Sequence, residues 1–290
     1  MDELIRRRQR HLWKQIDNGF ARPFLDRWGF IRKHRAEGIN RLRSIADLPL
    51  LLPYRPGPVP AELWTPRRVN VLIGELHLRS YLEIGVFQAE TFVNVSARRR
   101  YGVDPVPLFD PVLLPRGAKF AVMTSDEFFK VIRPSKEFDI AFLDGLHTVE
   151  QTYRDLINTF AHLRRGVVLI DDTVPSDEYS AIPDQDESYR TREEAGLEGR
   201  PWHGDVWRVV TLLEQHHPEL EWRTIIDSGN PQTLVWRRRR GKKVTAVSND
   251  EVALAKSPAY LDVFANGVPN YFRASSESQA LSECVQSLRR

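Results

Sequence analysis

Residues 138–156 read FDIAFLDGLHTVEQTYRDL, and residues 164–173 read RRGVVLIDDT. Each begins as a short apolar run rich in β-formers and ends on carboxylates, Asp144 in the first and Asp171-Asp172 in the second. After Asp144 the pattern switches to helical spacing, with apolar residues three and four apart through Leu156. An apolar strand, a polar junction and an amphipathic helix in that order make one unit of an α/β layer.

The same alternation extends in both directions. YLEIG (81–85), YGVD (101–104), FAVMT (120–124), FDIAFLD (138–144) and GVVLIDD (166–172) read as strands. AETFVNVSARR, SDEFFKVI, HTVEQTYRDLINTFAHL and GDVWRVVTLLEQHH read as helices. LEWRTIID and QTLVWRRR read as a closing pair of strands. The expected fold is α/β: a Rossmann-like, doubly wound, mostly parallel seven-stranded sheet with helices on both faces. TPRRVNVLIGELHL precedes it as a helix, with Thr65 as N-cap and Pro66 at the first helical position.

Residues 1–64 read as a helical N-terminal extension ending in the proline-rich linker LPYRPGPVP, and 65–240 as the α/β domain. Residues 173–200 form an acidic insertion in that domain, and 241–290 a polar C-terminal tail whose clearest helix is SESQALSECVQSL. A loop of that length at the ligand end of a sheet is usually a lid, and its Tyr179 and Tyr189 are candidates to stack on a substrate ring.

Composition narrows the class. No apolar run approaches the ~18 residues that span a bilayer, and MDELIRRRQRHLW has no apolar core for a secretory signal. The single cysteine, Cys284, allows no internal disulfide and fits a reducing, cytoplasmic compartment; it reads as an inert tail residue. Net charge is only +3, yet residues 1–46 carry 12 Lys/Arg against 5 Asp/Glu, and residues 172–198 carry 2 Arg against 9 Asp/Glu. Such asymmetry suits a nucleic-acid arm or two mutually attractive surfaces, within the fold or in a homo-oligomer. With no zinc-finger spacing or aromatic–basic motif beside it, nucleic acid is disfavoured, and the run Arg237–Arg240 reads as a solvated strand end. His216 and His217, before Pro218, read as surface residues at a helix end.

In open α/β sheets ligands bind at the carboxyl ends of the strands. There the sequence offers Glu83 and Gly85, then Asp104, placed where a Rossmann-like site holds ribose hydroxyls. The first loop lacks G-x-G-x-x-G, which disfavours a nicotinamide cofactor. Asp144 and Asp171/Asp172 can be read as ligands of a hard divalent cation or as turn and helix caps.

LEIGVFQAETF, YGVDP, FDIAFLDGLHTVEQTYRDL and GVVLIDDT together resemble the class I S-adenosylmethionine-dependent methyltransferases over about residues 65–236. More narrowly they look like the metal-dependent O-methyltransferases of the catechol and macrolide-sugar type. The resemblance implies that Glu83 and Gly85 form the methionine side of an S-adenosylmethionine pocket, that Asp104 binds the ribose, and that Ser125 and Asp126 lie beside the adenine. It implies that Asp144, which also borders the cofactor, faces Mg²⁺ or another divalent cation together with Asp171 and Asp172. His147 stands where the catechol branch has its proposed lysine base, and an imidazole suits that role near neutral pH. Two positions depart from the family pattern: Ala89 where a second glycine is usual, and Asp171-Asp172 where the catechol branch often has Asp-Asn. The implied activity is methyl transfer to a hydroxyl of a small molecule, a sugar or polyketide-type natural product. The rivals are a metal-independent methyltransferase using His147 or His203 as base, and a non-catalytic binding protein of the same fold.

Overall fold

The computed structural model describes residues 62–237 and 243–289, except 110, 112, 113, 115 and 116. The expected N-terminal extension and basic arm, up to residue 61, and Arg238–Arg240 lie outside the described residues.

The chain runs α1 (Trp64–Leu76), β1 (Ser80–Ile84), α2 (Glu90–Asn94), β2 (Arg99–Val103), β3 (Ala118–Ala121), α3 (Ser125–Val131), β4 (Phe138–Leu143), α4 (Val149–Ala161) and β5 (Leu163–Ile170). It continues with α5 (Gln185–Glu194), α6 (Arg208–His216), β6 (Leu220–Ile225), β7 (Gln232–Arg237), α7 (Asn249–Leu254), α8 (Tyr260–Phe264), β8 (Ala274–Ser275) and α9 (Glu277–Arg289). One sheet holds all the strands in the order β3-β2-β1-β4-β5-β7-β6-β8. β1 to β5 pair in parallel, β7 lies antiparallel between β5 and β6, and β8 adds in parallel to β6. The expected sheet thus gains an eighth, two-residue strand from the segment read as a tail.

Every residue of β1 and β4 is buried, as befits strands covered on both faces. Their side chains alternate between two cores. Leu82, Ile84, Ala141 and Leu143 meet Tyr153, Leu156 and Val210 from α4 and α6, whereas Tyr81, Ile140 and Phe142 meet Val69 and Leu72 from α1 and Leu281 from α9. The chain leaves β1 toward β2 and β3, then crosses back to β4 on the other side. The switch point therefore falls between the carboxyl ends of β1 and β4, where open α/β sheets form their crevice.

Several expected boundaries move. α1 begins at Trp64 with Leu63 as a cap that offers no side-chain bond, so Thr65 is inside the helix and accepts instead from Gln232 (2.7 Å). The first crossover helix shrinks to α2, because Ala89 enters it in the left-handed conformation and Val95 leaves it extended. The third strand ends at Ala121, not residue 124, because Thr124 is claimed by a capping box with Glu127 at the start of α3.

The tail is part of the body. α9 buries Ala280, Leu281, Cys284, Val285 and Leu288, so Cys284 is a core residue rather than an exposed one. Arg68 of α1 is fully buried; its Nε donates to Glu277 (2.9 Å) at the start of α9, its Nη1 to the Asn230 carbonyl and its Nη2 to the Ser228 carbonyl. His217 is also buried, bonded through Nε2 to the Tyr153 hydroxyl (2.8 Å) and through Nδ1 to Glu219 (3.0 Å), so it pins α4 to the end of α6 rather than facing solvent.

Candidate functional site

The site lies where β1 and β4 end. Gly85 leaves β1 at φ 81°, and a Cβ there would fall 1.8 Å from the Asp144 carbonyl oxygen, so glycine is required for the two strand ends to touch. Asp104, at the end of β2, closes the loop after β1: Oδ2 accepts from the amides of Val86 (2.9 Å) and Phe87 (2.8 Å), and Oδ1 from Val106 (2.7 Å). Phe87 and Ala89 in that loop both have positive φ. Ala89 therefore occupies a backbone conformation that glycine adopts without cost.

A cavity of about 860 Å³ opens between these ends. Gly85, Phe87, Asp104, Ser125, Asp126, Asp144, His147, Gln151 and Asp155 line it from the sheet side. Asp184, Asp186, Tyr189 and Arg200 line it from the insertion, and Trp202 from just beyond it. Most of the expected cofactor residues thus face one chamber. Glu83 is the exception: it is buried beneath and accepts from the Tyr81 hydroxyl at 2.6 Å. Burial pushes its carboxyl well above the usual range. At the far wall Gln151 donates to Ser125 (3.0 Å) and Asp155 (3.1 Å), and Arg154 holds Asp126 at 2.8 Å. Tyr189 lies under the Arg200 guanidinium at 5.3 Å, whereas Tyr179 is not among the lining residues.

At the other end of the chamber its lining residues Asp144 and His147 meet Asp172, which is not among the lining residues, and the three each offer a ligand atom, all within 4.8 Å of one another. His147 Nε2 is 3.4 Å from Asp144 Oδ1, and its Nδ1 is 3.0 Å from Asp172 Oδ2. The second contact is close but misaligned, leaving Nδ1 buried without a hydrogen bond. Burial disfavours charge on the imidazole, but the two carboxylates outweigh it and raise the His147 pKa. Burial would likewise raise Asp172, yet His147 holds it below the ordinary carboxylate range.

Asp171 is not in this trio. Its Oδ1 accepts from Asn230 (2.7 Å) and Gln232 (3.0 Å), and the same Asn230 amide reaches Asp172 at 2.6 Å. Burial, followed by the charges of Asp144 and Asp172, raises Asp171 well above its usual range. The split between the neighbours follows from Asp172 turning at φ 56°.

The segment just after the insertion fixes His147. Its ring stacks on Trp202 (4.6 Å, 9°), and its carbonyl accepts from the Asp205 amide. Asp205 caps α4 by accepting from Val149 N at 2.7 Å. His203 Nε2 stands 3.8 Å from Asp172, and its Nδ1 is a second buried atom without a partner. Asn230, Gln232 and Asp205 were not marked as site residues from sequence. No motif surrounds them, and they reach the site only by folding back from 56 to 61 positions away.

Residues 82–173, from the middle of β1 to the turn after β5, match the family model described as a methyltransferase domain. Those residues carry a methyltransferase domain. It is a transferase by that assignment, and the glycine turn, the Asp104-tied loop and the chamber all lie within or against the matched segment. No curated protein matches the sequence. Among solved structures, a candidate O-methyltransferase from Klebsiella pneumoniae is similar at 11% identity, covering 77% of this chain and 94% of that one, with TM-score 0.46. An O-methyltransferase family protein from Burkholderia thailandensis is similar at 13% identity, covering 73% and 60%, with TM-score 0.42. Aeropyrum pernix fibrillarin, with natively bound S-adenosyl-L-methionine, is similar at 15% identity, covering 54% and 66%, with TM-score 0.31. No helix among the described residues is long and apolar enough to cross a membrane.

Proposed function

We propose that the domain transfers a methyl group from S-adenosylmethionine to a hydroxyl of a small molecule, a sugar or polyketide-type natural product, with a divalent cation such as Mg²⁺ assisting. The convergence of Asp144 and His147, which line one end of the cofactor-sized chamber, with Asp172 just behind them carries this reading. The catalytic unit is 65–240, with 173–200 as its lid wall, acting in the cytoplasm.

The residues fit both groups. Asp104 and the loop it shapes would hold the ribose, Ser125 and Asp126 the adenine, and Gly85 and Asp144 the methionine end. Two carboxylates completed by water and substrate oxygen suit Mg²⁺, and His147 Nδ1, buried beside Asp172 without a hydrogen bond, leaves the acidic cluster incompletely satisfied. Asp144 and Asp172 would hold the cation, and Asp171, fixed by Asn230 and Gln232, would support Asp172. When bound, the cation supplies Lewis acidity that lowers the pKa of a hydroxyl beside it. S-adenosylmethionine supplies the electrophilic methyl.

The chain's own part is orientation and proton handling. Trp202 fixes the plane of the His147 ring, and the imidazole would accept the hydroxyl proton once a bound cation offsets the two carboxylates that otherwise keep it protonated. Tyr189 and Trp202 offer aromatic faces to the acceptor, and the insertion screens the chamber from bulk water.

Calorimetry with S-adenosylhomocysteine and with Mg²⁺ tests this reading. Saturable binding of the first, retained in Asp172→Asn, and cation binding lost in Asp172→Asn are expected. Folded protein that binds neither would favour the non-catalytic alternative. Methyl transfer that survives chelator and Asp172→Asn but not His147→Ala would favour the metal-independent one.

A further inference from the structure

A second concavity lies at the opposite edge of the sheet, where the parallel strands begin. It encloses about 560 Å³ and is lined by Arg79, Arg98, Arg99 and Gly117. Arg79 precedes β1, Arg98 and Arg99 open β2, and Gly117 precedes β3, so the sheet itself brings the three cations together. The backbone knits them: Arg99 N donates to Arg79 O (2.9 Å), and Arg100 N to Gly117 O (3.1 Å).

All three side chains are exposed. None forms a side-chain hydrogen bond or ion pair with any described residue, and Arg79 engages Asp139 only through its backbone amide. Several arginines elsewhere on the surface are paired: Arg154 with Asp126, Arg190 with Glu194, Arg223 with Glu283, and Arg289 with Glu75. Three like charges around one hollow repel one another, and an anion in the hollow would relieve that cost.

We propose that this hollow binds a small phosphorylated anion. Guanidinium forks match phosphate oxygens in bidentate pairs, and the volume suits a small molecule. A single compact hollow, with no aromatic side chain among its lining residues, lacks the stacking platform that single-stranded nucleic acid uses. The hollow lies at the amino ends of the strands and shares no lining residue with the methyl-transfer chamber.

Inorganic pyrophosphate titrated into the full chain by calorimetry is the test, with Arg98→Ala/Arg99→Ala as the paired variant. Charge-assisted bonds to phosphate predict saturable binding that weakens about tenfold per arginine removed, with S-adenosylhomocysteine binding unchanged. Three results would overturn the proposal: no saturable binding by the wild type, equal binding by the double variant, or tighter binding of an RNA oligonucleotide with a steep salt dependence. The last would assign the face to nucleic acid instead.

Discussion

A methyl group added at position 85 has nowhere to go: the Asp144 carbonyl occupies the space, and φ 81° disfavours any side chain. Gly85→Ala should therefore destabilise the domain by more than about 2 kcal/mol, read as a lower denaturant midpoint, and abolish cofactor binding. Asp155 should behave in the opposite sense. Burial lifts its pKa from 3.8 to about 6. The folded state then holds a proton that the unfolded state releases, so the cost of the charged carboxylate appears as pH rises from about 4 and is complete above about 6. The shift corresponds to roughly 3 kcal/mol at most. Asp155→Asn should raise stability at pH 7 by one to a few kcal/mol on that basis and change little near pH 4. A denaturation series across pH checks both limbs, and equal effects at the two ends would refute the assignment.

At the scale of elements, α3 points its amino end at the cavity and is held by reciprocal bonds between Thr124 and Glu127. Thr124→Ala should lower stability by about 1 kcal/mol and weaken S-adenosylhomocysteine binding, because Ser125 and Asp126 occupy its first turn. Urea melts and calorimetry read the two effects separately. The strand-to-loop junctions were legible in the sequence because apolar runs there end abruptly in Gly or Asp, as at Gly85, Asp104 and Asp144. The division of labour between Asp171 and Asp172 was not legible. It depends on one left-handed residue and on Asn230 and Gln232, which arrive from the β6–β7 turn and β7. Nor was β8, since two residues cannot display a period. The helix at 277–289 was expected from its spacing, but its burial partner was not, because α1 lies some 200 residues away.

For the whole molecule, that partnership makes Arg68 and Glu277 decisive. Removing one member of an ion pair whose arginine is fully buried leaves an uncompensated charge. Glu277→Ala should cost about 3 kcal/mol and lower the melting temperature by several degrees in calorimetric scans. A silent substitution would mean that α9 is dispensable. The molecule also has a polarity of charge. Carboxylates gather where the parallel strands end, and arginines gather where β1 and β2 begin, so the two hollows should attract ligands of opposite sign.

The closure of α9 onto α1 also bears on how the protein is made. The residues joined by Arg67 and Glu277 are 210 positions apart. At about 5–20 residues per second of translation, roughly 10–40 s separate their emergence from the ribosome. For that interval α1 is present with Val69, Leu72 and the Arg68 charge still lacking their cover. This part of the core can therefore close only after α9 has emerged, long after α1.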